Sequence, residues 1–381
     1  MTTGEWPRAI YLHIPFCRQR CHYCDFATGL GTPALIEEYV QVLCQDIART
    51  PQADQPIETI FFGGGTPSLL AAEQVQRIMT ALEQRFQILP SAEISLEANP
   101  GTTQLSHWWG YRAAGINRVS LGVQAFQPHL LQVCGRVHGV SEVYDTLADL
   151  RQVGLTNINL DLIFGLPDQT LSDWQESLTA VLEIAPPHVS LYDLTLEPGT
   201  RFGRRYQPGS RPLPPEEDTV TMYLEARSRL LAAGYEHYEV SNFARPGYAC
   251  RHNRVYWLNQ SYYGLGMGAT GYVQGVRREN PKTLHGYFRA VREGTEPGPE
   301  PESLEDQWLN TLMLGLRLQE GLDLAVLRYR FGASRVDDAL RVLAPYGDQG
   351  WLTWEDGRLR LIPPQGWLWI NTILLALWPD D

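Results

Sequence analysis

The sequence predicts an α/β protein, a partial (β/α)6 TIM-like barrel followed by a smaller helical or winged C-terminal domain. Three observations lead to this prediction. Strand-like and helix-like segments alternate six times over residues 9–233, polar or glycine residues recur where the strands end, and residues 301–381 are mostly helical in pattern.

Each predicted element rests on local sequence. Short apolar runs predict strands at 9–16, 59–62, 93–98, 118–123, 157–164 and 188–195. Helical spacing of apolar residues predicts helices at 32–49, 71–86, 106–114, 141–153, 172–184 and 218–233. Thr32 is the expected N-cap of the first helix, and Gly115, Gly154 and Gly234 follow three others. This alternation indicates a parallel sheet covered by helices.

A doubly wound open sheet fits the same alternation, so the positions of the polar residues decide between the two folds. They fall in the second half of a strand or just after it, at 13–17, 63–65, 97–99, Gln124 and 161–167. A barrel builds its site from such residues at one rim. A doubly wound site would concentrate its pattern in the first turn.

Three units are predicted along the chain: the barrel at 1–235, a connecting region at 236–300 and the C-terminal domain at 301–381. The second boundary rests on the proline-rich residues 295–301. Helices are predicted in the C-terminal domain at 303–317, 322–331, 334–343 and 367–378, and short strands at 351–354 and 359–362.

Composition narrows the function classes. Hydrophobic residues make up 44% and charged residues 19%, which is typical of a packed protein, and the net charge of −12 argues against nucleic-acid binding. The longest apolar run, 367–378, is shorter than the roughly 18 residues of a membrane span. We expect a cytoplasmic protein without a transmembrane segment, although a peripheral membrane contact stays compatible with the sequence.

Three of the six cysteines, Cys17, Cys21 and Cys24, follow the first strand directly. Three thiolates on one loop suit a [4Fe–4S] cluster that keeps one iron open. Zinc is the alternative metal, but structural zinc sites use four ligands, and His22 adjoins Cys21 too closely to serve easily. An open iron can take the amino and carboxylate groups of S-adenosylmethionine (SAM), a cofactor that carries radical chemistry.

A glycine-rich segment, Gly63-Gly64-Gly65-Thr66-Pro67, follows the second strand. Glycines let the backbone approach a ligand closely, and exposed N–H groups can hold a carboxylate. With these two blocks, IPFCRQRCHYC and FFGGGTP, the chain resembles the radical SAM superfamily. The resemblance implies the cluster and SAM as cofactors.

Charged side chains at later strand ends fit such a site. Glu97 ends the third strand, and Asp161 lies within an apolar strand, where a charge is costly unless it is paired or functional. Simpler readings stay open: Glu97 as an exposed loop carboxylate, Asp161 as the ion-pair partner of Arg136, and Tyr11 and Tyr23 as core residues.

These blocks also resemble one subgroup, the oxygen-independent coproporphyrinogen III dehydrogenases and the related HemW haem chaperones, from about residue 11 to residue 317 and beyond. The resemblance implies that a set of residues surrounds SAM: Tyr11, Tyr23, Gly64, Gly65, Thr66, Glu97, Gln124, Arg136, Asp161 and Tyr192.

Three features separate the chaperone from the dehydrogenase. Phe26 stands where the dehydrogenase pattern has a fourth cysteine, and only a short segment precedes Cys17. The segment His252-Asn-x-x-Tyr-Trp is similar to the haem-binding motif of HemW, which implies His252 as a haem ligand, with Cys250 as the alternative axial ligand. Tyr256 offers a flat apolar face for the porphyrin.

The preferred hypothesis is therefore a haem chaperone that passes haem to an acceptor protein, which the sequence does not name. The alternative is a dehydrogenase that oxidatively decarboxylates coproporphyrinogen III. An enzyme with an unrelated radical substrate is a third, weaker hypothesis.

Overall fold

A nine-stranded sheet organises the chain, for which the computed structural model describes residues 6–52, 55–294, 298 and 301–378. Its strands are β1 Ala9–Ile14, β2 Ile57–Gly64, β3 Ile88–Ala98, β4 Arg118–Gln124, β5 Ile158–Phe164, β6 His188–Asp193, β7 Glu236–Glu239, β8 Asn242–Ala244 and β9 Tyr263–Leu265. The order across the sheet is β7-β8-β6-β5-β4-β3-β2-β1-β9, and β1 to β6 are parallel. The sheet does not close, which confirms the predicted partial barrel.

Ten helices accompany this sheet in the described residues: α1 Pro33–Arg49, α2 Ala72–Arg85, α3 Leu105–Ala113, α4 Pro128–Val133, α5 Val140–Gln152, α6 Leu171–Ile184, α7 Arg201–Arg205, α8 Glu216–Ala232, α9 Arg251–Trp257 and α10 Leu284–Glu293. A 3-10 turn, Pro67–Leu69, follows β2. Thr32 caps α1 as predicted, because its hydroxyl oxygen accepts from the Leu35 N–H at 3.2 Å. α4 and α7 were not predicted, since elements of six and five residues are too short for apolar periodicity to reveal.

The main core lies between the sheet and its helices. Leu12, Phe62, Leu96, Leu121 and Leu160 come from five neighbouring strands and are fully buried. Buried strands of this kind read as nearly continuous apolar runs, which is why the sequence predicted them.

Residues 236–265 contribute to the main sheet. β8 pairs antiparallel with β6, and β9 pairs parallel with β1 at the other edge. α9 lies between these strands in the chain and contacts β2. β10 Thr270–Val273 and β11 Val276–Glu279 follow β9 and pair antiparallel as a separate two-stranded sheet. The predicted domain boundaries stay predictions, and the predicted linker at 295–301 lies almost entirely outside the described residues.

The C-terminal region has its own apolar core, and its elements are α11 Leu304–Gly315, β12 Leu322–Asp323, α12 Leu324–Phe331, α13 Ala333–Asp348, β13 Leu352–Thr353, β14 Arg358–Leu361, α14 Gln365–Leu368 and α15 Ile370–Leu375. The three strands form a small antiparallel sheet in the order β12-β14-β13. The prediction of one helix at 367–378 was wrong: the chain leaves helical geometry at Trp369, whose ring stacks on Trp351 at 5.2 Å. Among the described residues, no helix is long and apolar enough to cross a membrane.

Leu121→Ala should lower the free energy of unfolding by about 2–5 kcal/mol, because it removes a fully buried side chain from the central strand β4. Urea denaturation followed by circular dichroism measures the change. The control is Leu375→Ala at a position that is 69% exposed, where a change within about 0.5 kcal/mol is expected. Equal losses in both variants would contradict the assigned core.

Candidate cofactor-binding site

A cavity of about 520 Å³ opens at the carboxyl ends of the parallel strands. We call it the cysteine cavity, since Cys17, Cys21 and Cys24 line it. Every residue that the sequence suggested around SAM also lines it: Tyr11, Tyr23, Gly64, Gly65, Thr66, Glu97, Gln124, Arg136, Asp161 and Tyr192. Its volume lies in the range of small-molecule sites.

The three thiols sit on the loop after β1. Burial raises the pKa of the Cys17 thiol and raises the pKa of Cys24 to about 11. Cys17 Sγ lies 3.7 Å from the Thr66 hydroxyl, and Cys21 Sγ lies 3.4 Å from Nη1 of Arg136. These donors face the sulfur atoms, as they do around thiolate ligands. In the described residues, no three His, Cys, Asp or Glu side chains are grouped as ligands of a single metal ion.

The glycine segment packs closely against the cysteine loop. A Cβ at Gly65 would lie 2.6 Å from the Phe16 carbonyl oxygen and 3.0 Å from Cys17 Sγ, so no side chain fits there. Gly64 has φ +112°, a conformation that only glycine adopts without strain. The cavity wall beside Cys17 is therefore backbone without side chains, which fits a cluster and its ligand.

Glu97 ends β3 inside the cavity, which excludes the reading as an exposed loop carboxylate. Its Oε2 accepts a 3.0 Å hydrogen bond from the Gly64 N–H. Burial, and next the nearby charge of Asp161, raise the pKa of Glu97 to about 8. Near neutral pH this carboxyl group therefore holds a proton that a cationic ligand could displace.

Arg136 does not pair with Asp161. Its Nη2 donates to Asn99 Oδ1 at 2.6 Å and to the Gly122 carbonyl oxygen at 2.7 Å. Asn99 in turn donates to the Thr66 hydroxyl at 2.9 Å. This chain of bonds connects three neighbouring loops, and the sequence did not single out Asn99 within it.

Asp161 is held by neutral groups. Its carboxylate accepts from the Ser120 hydroxyl at 3.0 Å and from Asn159 Nδ2 at 2.8 Å. Burial raises its pKa, while bonds from Ser190, Ser120 and Asn159 oppose that shift. The interpretation as a structural ion pair with Arg136 was therefore wrong. The sequence could have indicated these partners. Asn159 is two residues before Asp161 on β5, so both side chains point to the same face of the sheet. Ser120 and Ser190 lie opposite these two residues on the neighbouring strands.

Gln124 occupies an unusual backbone position. Its φ is +70°, and the pairing of β4 with β5 shifts register between Gly122 and Gln124. Such a bulge changes the direction of a side chain, which would otherwise follow the alternation of the strand between the two faces of the sheet. Here the residue lies at the cavity wall and is 9% exposed.

The three tyrosines differ in their surroundings. The Tyr11 hydroxyl lies 3.0 Å from His13 Nδ1, and His13 Nε2 lies 3.0 Å from the Ala27 carbonyl oxygen, which ties β1 to the chain beyond the cysteines. Tyr23 packs near Phe202, with ring centroids 6.4 Å apart. Tyr192 lies at the cavity wall and is 41% exposed.

Arg118 is a cavity residue that the sequence reading missed. It is 2% exposed, and against the opposing effect of burial the charges of Glu93 and Asp161 raise its pKa. The sequence signal that could have found it is an arginine in the predicted strand 118–123, because a charge in a buried strand is rarely without a partner.

His252 does not line the cysteine cavity and lies in the core behind it. Its Nδ1 is 2.8 Å from the Thr59 hydroxyl and its Nε2 is 2.9 Å from the Tyr256 hydroxyl. The ring stacks on Phe61 at 5.2 Å, and burial lowers the pKa of His252 to about 3. Cys250, the alternative axial ligand, is also buried, and burial raises its pKa to about 12. An iron ligand role for His252 stays a prediction, and in this conformation both ring nitrogens have hydroxyl partners.

α9, which carries His252, is anchored by a carboxylate at its first turn. Glu93 accepts from the N–H groups of Arg251 and His252 at 3.1 Å each. A negative charge at a helix N-terminus satisfies donors that the helix leaves unpaired. The anchor lies on β3, the strand that ends in Glu97.

Comparison with known proteins agrees with this geometry. The model of the radical SAM superfamily matches residues 11–181, and that of the HemN C-terminal domain matches residues 303–369. A solved structure of coproporphyrinogen III oxidase (HemN) from Escherichia coli, described as a radical SAM enzyme, superimposes with a TM-score of 0.85 at 25% identity, covering 98% of this chain and 90% of that one. Fold and site thus define a radical SAM protein of the HemN type.

Curated relatives narrow the class. "Heme chaperone HemW" of Synechocystis sp. is 43% identical over 99% of this chain and 98% of its own length. "Heme chaperone HemW" of Lactococcus lactis is 38% identical over 86% of each chain. The chain belongs to the HemW haem chaperone family.

Glu97→Gln should change how stability depends on pH. Between the ordinary pKa of 4.5 and about 8, folded protein keeps the Glu97 proton while unfolded chain releases it, so this carboxyl group stabilises the fold less as pH rises. Glu97→Gln has no carboxyl group at this position, so it does not lose stability in this way as pH rises. Its free energy of unfolding, measured in urea relative to the unsubstituted metal-free protein, should therefore improve from about pH 5 to about pH 8.

The surface variant Glu83→Gln on α2 is the control for removing one carboxylate. A difference between the Glu97→Gln and unsubstituted proteins that stays constant with pH would contradict the raised pKa.

Proposed function

We propose that this protein binds a [4Fe–4S] cluster through Cys17, Cys21 and Cys24, holds SAM at the open iron, and carries haem to an acceptor protein. The observation that supports the cofactor part is that all the predicted cluster and SAM residues line one cavity. The names of the relatives support the haem part.

The chain's own groups would divide the work of holding SAM. The backbone at Gly64 and Gly65 permits close approach of the methionine portion, and Glu97 offers a carboxylate for an ammonium group or ribose hydroxyls. Arg136 stays fixed by Asn99 beside Cys21 and can stabilise thiolate charge. When bound, the cluster supplies one-electron chemistry to SAM.

Cys24→Ser should lose most of the iron and inorganic sulfide that the unsubstituted protein takes up in anaerobic reconstitution, because a hydroxyl is a poor substitute for a thiolate ligand. Cys44→Ser is the control, since Cys44 packs against the core away from the cavity. In the unsubstituted protein, adding SAM should change the electron paramagnetic resonance spectrum of the reduced cluster. A single tightly held zinc without sulfide would contradict the cofactor proposal.

Haem binding through His252 requires a local rearrangement. Iron would have to displace the hydroxyl of Thr59 from Nδ1 or that of Tyr256 from Nε2. Neutral imidazole is the form that ligates iron, and the lowered pKa keeps His252 neutral at physiological pH.

Haem added to the purified protein should give a saturable Soret band, and His252→Ala should weaken binding and shift the band. His285→Ala on α10, an exposed site, should leave both unchanged. Identical spectra and affinities for unsubstituted protein and His252→Ala would argue against this residue as the ligand.

The dehydrogenase alternative is supported by the similarity to HemN over nearly the whole chain. It predicts that the reconstituted protein converts coproporphyrinogen III to protoporphyrinogen with consumption of SAM. Phe26, at the position expected for a fourth cysteine, lines the cysteine cavity and is 58% exposed. Anaerobic incubation with product analysis distinguishes the enzyme from the carrier.

A further inference from the structure

A second cavity, larger than the first, lies at the opposite end of the barrel. Its volume is about 750 Å³. Arg8 and Ala9 reach it from the start of β1, and Glu58 and Thr59 from the start of β2, whereas the cysteine cavity is lined by the ends of these strands. Its other wall comes from α12 and β14 of the C-terminal region. We call it the arginine cleft.

The charge of this cleft is opposite to that of the chain. Five arginines line it, Arg8, Arg251, Arg254, Arg330 and Arg358, against two carboxylates, Glu58 and Asp323. The cysteine cavity has the reverse balance, with five carboxyl groups and three arginines. In a chain of net charge −12, this local excess of arginines favours an anionic ligand in the cleft.

Arg330 is the cleft arginine with the weakest internal partner. The other four lie within 4 Å of a carboxylate oxygen of Glu58, Glu320 or Asp323. Arg330 forms no ion pair within the described part of the chain. Its guanidinium group lies over the Phe331 ring at 4.8 Å, and its Nη2 makes a long 3.4 Å bond to Gln307. Part-buried and without an ion-pair partner in the described residues, its guanidinium group can donate hydrogen bonds to a ligand carboxylate.

Apolar residues line the cleft from both sides. Val255 and Leu258 face the cleft from α9 and the residue after it, and Leu327 and Phe331 face it from α12. A flat hydrophobic body with carboxylates on one edge matches this combination of apolar walls and arginines.

The cleft also lies beside His252. Thr59, which hydrogen-bonds Nδ1 of His252, lines the cleft, whereas Tyr256, which bonds Nε2, lines the cysteine cavity. A ligand in the cleft would thus contact the residue that hydrogen-bonds Nδ1 of His252.

We propose that the arginine cleft is the porphyrin-binding site and that Arg330 of the C-terminal region binds a propionate there. This inference rests on the proposed haem-carrier function. It states where in the fold the porphyrin binds, and it assigns part of the site, including Arg330, to the C-terminal region. The site recognises carboxylates and an apolar ring, so a tetrapyrrole with free propionates is the ligand class.

The test measures affinities of the reconstituted full chain for three probes: haem, iron-free protoporphyrin IX and the dimethyl ester of iron protoporphyrin IX. Protoporphyrin IX should still bind, but more weakly than haem, because it has no iron for His252 to ligate. The ester, which keeps the iron and lacks both negative charges, should bind at least about tenfold more weakly than haem. Arg330→Gln should weaken haem binding about fivefold, the upper end of the effect expected for a solvent-exposed ion pair. The control Arg328→Gln lies on the same helix but does not line the cleft, and should bind as the unsubstituted protein does.

A second pair of variants tests the cavity without removing charge. Val326→Trp should fill the cleft and weaken haem binding more than tenfold, and Val342→Trp, which is equally exposed at 45% but outside the cleft, should not. The response of the cluster's paramagnetic spectrum to SAM checks that each variant is folded.

The outcomes separate the two proposals. If Arg330→Gln and Val326→Trp bind haem as tightly as the unsubstituted protein does, the assignment of the cleft is overturned. The proposed carrier function is not affected by that result. Unsubstituted protein that binds no haem would overturn the carrier function and the cleft assignment with it.

Discussion

Parallel pairing of β1 to β6 is the constraint on which the rest of this structure depends. It brings the carboxyl ends of six strands to one rim, so that residues far apart in the chain share a cavity. Register refines the placement: Glu97 lies opposite Ser120, and Asp161 lies opposite Ser190. A shift of one residue in any of these pairs would turn the functional side chains to the other face of the sheet.

Burying polar groups inside this barrel costs free energy, and their hydrogen bonds offset part of that cost. Asp161 accepts from neutral donors on β4 and on its own strand β5, and the pKa of Glu97 is raised to about 8. Two partly buried carboxyl groups without a direct ion pair are poor for stability, because burial disfavours their charged forms. Their arrangement is better explained by ligand binding than by folding, which is consistent with their position in the cysteine cavity.

α9 separates the two cavities and contributes to both. Arg251 and Val255 face the arginine cleft, while Asn253 and Tyr256 face the cysteine cavity. The Glu93 carboxylate holds the first turn of this helix against β3. A seven-residue helix has little intrinsic stability, so its orientation depends on such tertiary bonds. The helix therefore places its motif residues only in the context of the complete sheet.

The primary structure alone predicted the open barrel and the rim that carries its polar residues, because strand periodicity and parallel order dictate which ends meet. Its resemblance to a known family supplied the residues expected around SAM, but the sequence missed Arg118 of the cysteine cavity. It did not reveal that Arg136 bonds Asn99 instead of Asp161, or that Trp369 interrupts the last helix. Only the folded chain decided the surroundings of His252, whose ring nitrogens face the hydroxyl groups of Thr59 and Tyr256. Side-chain pairing across distant elements depends on packing in three dimensions, and local sequence patterns carry no information about it.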